Sequence, residues 1–146
     1  MFLLPGEYPA VAAYYTRRAW AASGKKGIPM KNQAFNHRLR YAVAGIREAF
    51  GAENSFRLQC IAATGVLIAL LVLRPAPIWW AMAALSVSVV LAAEQFNTAL
   101  ERLADRLHPE VHPEIRIAKD CAAGAVLVVS LGALAVAAAF IVSRVP

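Results

Sequence analysis

The sequence predicts an all-α integral membrane protein, with three transmembrane helices preceded by an amphipathic surface helix. Three observations carry this. Of the 146 residues, 60% are hydrophobic and 16% charged, against roughly 25% charged in an ordinary soluble domain. Residues 58–73, 78–93 and 121–143 contain no Asp, Glu, Lys or Arg. A span needs about 20 mostly apolar residues; the third run meets this alone, and the first two reach it with their flanking residues. Ahead of these runs, Phe35, Leu39, Val43, Ile46 and Phe50 recur at spacings of four and three, which is one face of a helix.

Each element can be placed in order. Residues 1–30 read as an N-terminal extension of unknown role, because "SGKKGIPM" has the composition of a loop and Met30 is itself a candidate start. The opening stretch lacks a basic region and is broken by Pro5, Gly6 and Glu7, so no cleavable signal peptide is expected. The membrane domain is expected over residues 31–146. Its first helix carries Arg38, Arg40 and Arg47 off the apolar stripe, as a helix lying on a lipid leaflet does. Gly51 is expected to end that helix and Asn54 or Ser55 to cap the first span, which leaves Glu53 at the junction. "RPAP" at 74–77 is a tight turn. The second spanning helix meets no breaker before about Leu107 and must overrun the membrane. "HPEVHP" (108–113) turns the chain, and Pro113 suits the first turn of the helix that carries the third span.

Charge sets the orientation. The net charge is +6, and Arg17, Arg18, Lys25, Lys26, Lys31, Arg38, Arg40, Arg47 and Arg57 all precede or open the first span. By the positive-inside rule that region is cytoplasmic, in a multi-pass protein of the cell membrane. Residues 94–120 then fall on the same side, while Trp79 and Trp80 mark the opposite interface. No DNA-reading motif accompanies the basic residues, so nucleic acid is not an expected partner. Cys60 and Cys121 read as small hydrophobes, and no Cys/His spacing of metal-site type occurs.

The second span ends in an acidic stripe. Thr98, Glu101 and Asp105 fall within about 40° of Glu94 around a helix, and Asn97 flanks them. A charged carboxylate at membrane depth costs about 2.5–3.5 kcal/mol on insertion scales. Glu101 and Asp105 are like charges one turn apart, which weakens a helix by roughly 0.2–0.5 kcal/mol. A cation relieves both costs. Arg102 and Arg106 project about 80–120° away from Glu94 and help only at the edge. Asp105, well outside the membrane, is expected to be solvated; Glu94 is an intramembrane acid and a functional residue by default.

Glu53, Arg116, Lys119 and Asp120 gather at the same membrane face. Mg²⁺ takes one or two carboxylates and completes its octahedron with water and phosphate oxygens. Phosphoryl transfer asks for little beyond that ion, a cation on the phosphates and a positioned acceptor. Glu53 and Glu101 are suited to the metal, Lys119 to phosphate, and Glu94 to taking a proton from a lipid hydroxyl. A carboxylate removed from water is a stronger base than one in it.

"EQFNTALERLADR" followed by "HPEIRIAKDCAAGAVL", with "YAVAGIREAFGAENSFR" upstream, closely resembles the prokaryotic diacylglycerol kinase family, which includes undecaprenol kinases. The resemblance covers about residues 35–143. It implies homotrimers that phosphorylate lipid hydroxyls from MgATP at the cytoplasmic surface. It also implies Glu94 as the catalytic base at the lipid site, and Glu53 and Glu101 as glutamates that bind metal and face the nucleotide. Tyr41, Glu110, Val111, His112, Lys119 and Asp120 fall on nucleotide-contacting positions, with Asn97 and Arg116 in support. Residues 1–30 have no counterpart in that pattern. Diacylglycerol is the expected lipid, giving phosphatidic acid; undecaprenol is the alternative, since "YAVAGI" and "HPEIRIAKDCAAGAVL" look like the branch that favours it. A small proton- or cation-conducting oligomer explains Glu94 but leaves Lys119, Asp120 and the surface helix idle. A structural adaptor makes the carboxylates dispensable.

The orientation is directly testable. A topology reporter fused after Arg144 should read as outside the cytoplasm, and one inserted at Glu110 as inside. The opposite pattern would move every candidate residue to the other membrane face.

Overall fold

The computed structural model describes residues 34–110 and 112–145. Four helices run through them: α1 (Phe35–Ala52), α2 (Asn54–Leu73), α3 (Pro77–Leu107) and α4 (Pro113–Val142). No strand occurs among the described residues. The expected N-terminal extension, residues 1–30, and Val111 lie outside them. The chain divides into two compact units, residues 1–40 and 41–146, and every candidate residue belongs to the second.

The last three helices are long and apolar enough to cross a membrane. At 20 residues, α2 measures about 30 Å, the thickness of the hydrocarbon core. The 31 residues of α3 and the 30 of α4 reach about 45 Å each. Both therefore overhang the core. Counting from Pro77, Glu94 lies about 26 Å along α3 and Glu101 about 36 Å, so the polar stripe crosses the interface between them.

α3 is the middle helix. It packs along α4 and, less extensively, against α2, while α2 and α4 make no close backbone approach to each other. The spans bury little of their apolar surface within one chain, and the spanning window of α4 buries none. Ile61, Val72, Phe96, Leu127, Val128 and Leu134 all face outward. Such a surface is stable only against lipid or another protein. The apolar stripe of α1 is outward too, with Phe35, Leu39, Val43, Ile46 and Phe50 exposed and Ala49 buried. α1 thus buries only a small residue and leaves its apolar stripe uncovered within the chain.

The ends of the helices follow local chemistry. Arg74 closes α2 in the left-handed region at φ 43°, its N–H donating to the Leu70 carbonyl. The far end is then tied by Arg144, whose Nη2 donates to the Leu73 carbonyl at 2.8 Å. That places a cation on the unsatisfied end of a helix. Trp79 of α3 meets Phe140 of α4 edge-on at 5.2 Å, and the Arg144 guanidinium lies 5.4 Å from the same ring. At the opposite end Pro113 opens α4, and the His112 side chain accepts a hydrogen bond from the Glu114 N–H.

The junction of α1 and α2 differs from the expected capping. α1 continues through Gly51 to Ala52, and Glu53 occupies the cap position of α2 without a side-chain cap bond. Asn54 and Ser55 are engaged elsewhere. Asn54 Oδ1 accepts from Arg57, and the Ser55 hydroxyl donates to Glu94. Bonds to another helix and to a nearby guanidinium have displaced the local cap.

Candidate active site

Glu94 is 4% exposed, in a chain whose spanning helices are mostly open. An unpaired buried carboxylate is costly enough that proteins neutralise it or surround it with donors. Here the donors come from the first two turns of α2. The Ser55 hydroxyl donates to Glu94 Oε1, and Gln59 Nε2 donates to Oε2 at 3.1 Å. Both donors are neutral. Phe56, between them in sequence, is almost fully buried, so this end of α2 is packed well enough to hold them in place.

The stripe continues along α3. Thr98, one turn beyond Glu94, is buried, and its Oγ1 has no partner. Asn97 Nδ2 donates to Glu101 Oε1 at 3.0 Å, which orients that carboxylate and leaves Asn97 Oδ1 unmatched. Buried orphans are rare in native proteins. Gln59 Oε1, Asn97 Oδ1 and Thr98 Oγ1 all belong to this class.

Past the membrane core the groups are charged and exposed. Lys119 of α4 pairs with Asp105 of α3, which is solvent-exposed as expected and holds this cation as well. Arg116 pairs with Asp120 one turn along at 3.7 Å. Arg102 reaches Glu48 of α1 at 3.0 Å. Glu53 is half-buried at the head of α2, and Tyr41 half-buried in α1. Glu110 and His112 are exposed in the α3–α4 turn; the His112 ring is occupied with its cap. Among the described residues, no three His, Cys, Asp or Glu side chains gather as a ligand cluster. Ser55 and Gln59 were not among the residues expected from the sequence. Their signal is a pair of polar residues one turn apart at the start of an apolar span, which reads as capping until the partner on α3 is seen.

Fold and sequence together define a multi-span membrane protein with a stripe of carboxylates along one of its spanning helices. The sequence profile of the prokaryotic diacylglycerol kinases matches residues 40–141. The chain is 38% identical over 99 residues to a diacylglycerol kinase of Synechocystis sp., covering 67% of this chain and 57% of that protein. It thus spans little more than half the length of that relative. To the undecaprenol kinase of Bacillus subtilis it is 35% identical over 88 residues, 60% of this chain and 72% of the relative. To a diacylglycerol kinase of Haemophilus influenzae it is 30% identical over 89 residues, 61% and 75% of the two chains. The chain belongs to the prokaryotic diacylglycerol kinase family.

The Lys119–Asp105 pair has a stability consequence. Asp105 is largely exposed and Lys119 about one-third so, and exposed pairs contribute about 0–1 kcal/mol. Asp105→Asn should therefore shift the unfolding free energy by less than about 1 kcal/mol, read by thermal melting in detergent. A larger loss would mean that the pair anchors the α3–α4 overhang.

Proposed function

We propose that this protein transfers the γ-phosphate of MgATP to the hydroxyl of a membrane lipid, diacylglycerol first, giving phosphatidic acid. The observation that carries the reading is the buried Glu94 carboxylate at the foot of a stripe that climbs to Glu101 and the Lys119–Asp105 pair. A lipid keeps its chains in the bilayer and ATP stays in water, so their reacting atoms meet only at the interface. The stripe crosses that interface.

In this mechanism Glu94 accepts the proton as the lipid oxygen attacks the γ-phosphorus. The bond from that phosphorus to the β–γ bridging oxygen breaks, and ADP leaves with the electron pair. Lys119 meets the phosphates by exchanging Asp105 for them, and an exposed ion pair is cheap to exchange. In this reading Arg116 and Asp120, one turn of α4 apart, serve the nucleotide together with Tyr41, Glu110 and His112. Mg²⁺ supplies charge neutralisation on the β- and γ-phosphate oxygens when bound. Glu53 and Glu101 are the residues that would hold it, since one or two carboxylates serve where phosphate and water supply the other ligands. Asn97 supports Glu101 as outer partners of metal ligands do.

The exposed apolar faces of the spans suit a homotrimer in the cell membrane, with the site on the cytoplasmic side and completed between subunits. Undecaprenol is the second reading, favoured by the 35% identity to an undecaprenol kinase.

The deciding experiment measures transfer of labelled γ-phosphate from ATP to dioleoylglycerol and to undecaprenol by the purified protein in detergent micelles. Labelled phosphatidic acid is expected, with less product from undecaprenol. Folded protein that labels neither lipid would overturn the reading. In the same assay Glu53→Gln and Glu101→Gln should each cost roughly 10²-fold in turnover and raise the Mg²⁺ requirement, with Asp105→Asn milder. Small, equal losses at all three would indicate a solvated acidic face instead.

A further inference from the structure

The partners of Glu94 go beyond what the proposed reaction requires of a base. Ser55 and Gln59 stand one turn apart on α2, and each takes a different oxygen of the carboxylate. We propose that Ser55 and Gln59 are positioning residues that hold the Glu94 base by both oxygens and keep it bonded whether or not it carries the proton. This rests on the lipid-kinase reading above.

The choice of donors is informative. A guanidinium against a buried carboxylate favours its charged form strongly and weakens it as a base. A cation is available nearby, yet Arg57 is turned to Asn54 Oδ1, leaving neutral groups at Glu94. Neutral donors orient the carboxylate without countering its charge.

The two donors also suit a proton that comes and goes. A serine hydroxyl both donates and accepts. It donates to the ionised carboxylate and, by rotating, accepts from a protonated Oε1. Gln59 gives its amide N–H to Oε2 and keeps Oε1 buried without a partner. Turning the amide over presents that oxygen as an acceptor to a protonated carboxyl. Whichever oxygen of Glu94 takes the proton from the lipid hydroxyl, α2 has an acceptor for it. The orphaned Gln59 Oε1 is the other half of this device.

The test is steady-state kinetics of the full chain in detergent micelles with MgATP and dioleoylglycerol or undecaprenol, wild type in parallel. Ser55→Ala and Gln59→Leu should each lower kcat by roughly tenfold, the loss expected for a hydrogen bond to a charged group, with KM for ATP unchanged. Ser55→Thr, which restores a hydroxyl, should recover most of the kcat lost in Ser55→Ala. Full kcat in Ser55→Ala and Gln59→Leu overturns the proposal. So does Ser55→Thr as impaired as Ser55→Ala, or a loss confined to KM for ATP. Should Gln59→Leu fail to fold, the Ser55 variants decide alone, because that exposed side chain contributes little packing. A wild type that labels neither lipid defeats the kinase reading itself. An active wild type with fully active variants defeats only the positioning role.

Discussion

A carboxylate below the membrane surface must be met by donors or given up as a charge. At the bilayer centre the cost on insertion scales is about 2.5–3.5 kcal/mol. In this chain α2 supplies the donors, which requires its first turns to lie against α3 at the level of Glu94. Most of the few buried side chains belong to these helices, Phe56 of α2 and Glu94 and Thr98 of α3, while most side chains of the spans are open. α1 enters from the same level, contributing buried Ala49 and the Glu48 partner of Arg102. The opposite end is held by different means, an arginine on a helix end and an aromatic edge contact. The two ends divide the work: one is built to hold a charge, the other to hold helices together.

Helix length does the rest of the positioning. Lys119 lies about 35 Å back from Val142 along α4, and Asp105 about 42 Å from Pro77 along α3. Both therefore emerge from a core about 30 Å thick on the side where α1 lies. A shorter α3 would end with Glu94 and expose no carboxylate to water. The overhang turns a membrane span into a support with one foot in lipid and its tip in solvent.

Much of this was legible in the sequence. The spans follow from uncharged runs. The overrun of α3 follows from the lack of any Gly or Pro between Pro77 and Leu107, and the start of α4 from Pro113. Glu94 is conspicuous because it ends an uncharged run. What could not be read locally was pairing between helices. Ser55 sits where a cap belongs, and local rules assign it one; its partner lies 39 residues away. Asp105 is solvated as read from the sequence, but nothing in α3 alone shows that it also holds a cation. Lys119 reaches it only through the antiparallel register of α4, which turn composition does not specify.

The two kinds of polar contact in this chain also differ in how readily they yield. Around Glu94 the bonds are sheltered, and losing one leaves a buried group unsatisfied at a cost of about 1–3 kcal/mol. Around Lys119 and Asp105 the pair is exposed, and water replaces either partner at about 0–1 kcal/mol. Asp105 is thus a partner that an anion from water displaces with little penalty, whereas the Glu94 carboxylate is held fixed in orientation. Under the proposed mechanism that asymmetry matches the two substrates. The soluble one is recruited by a contact that exchanges easily, and the membrane-bound one is aligned by a contact that does not. Glu94 and Asp105 both stand on α3, so the rigidity of that helix fixes the spacing between the two contacts.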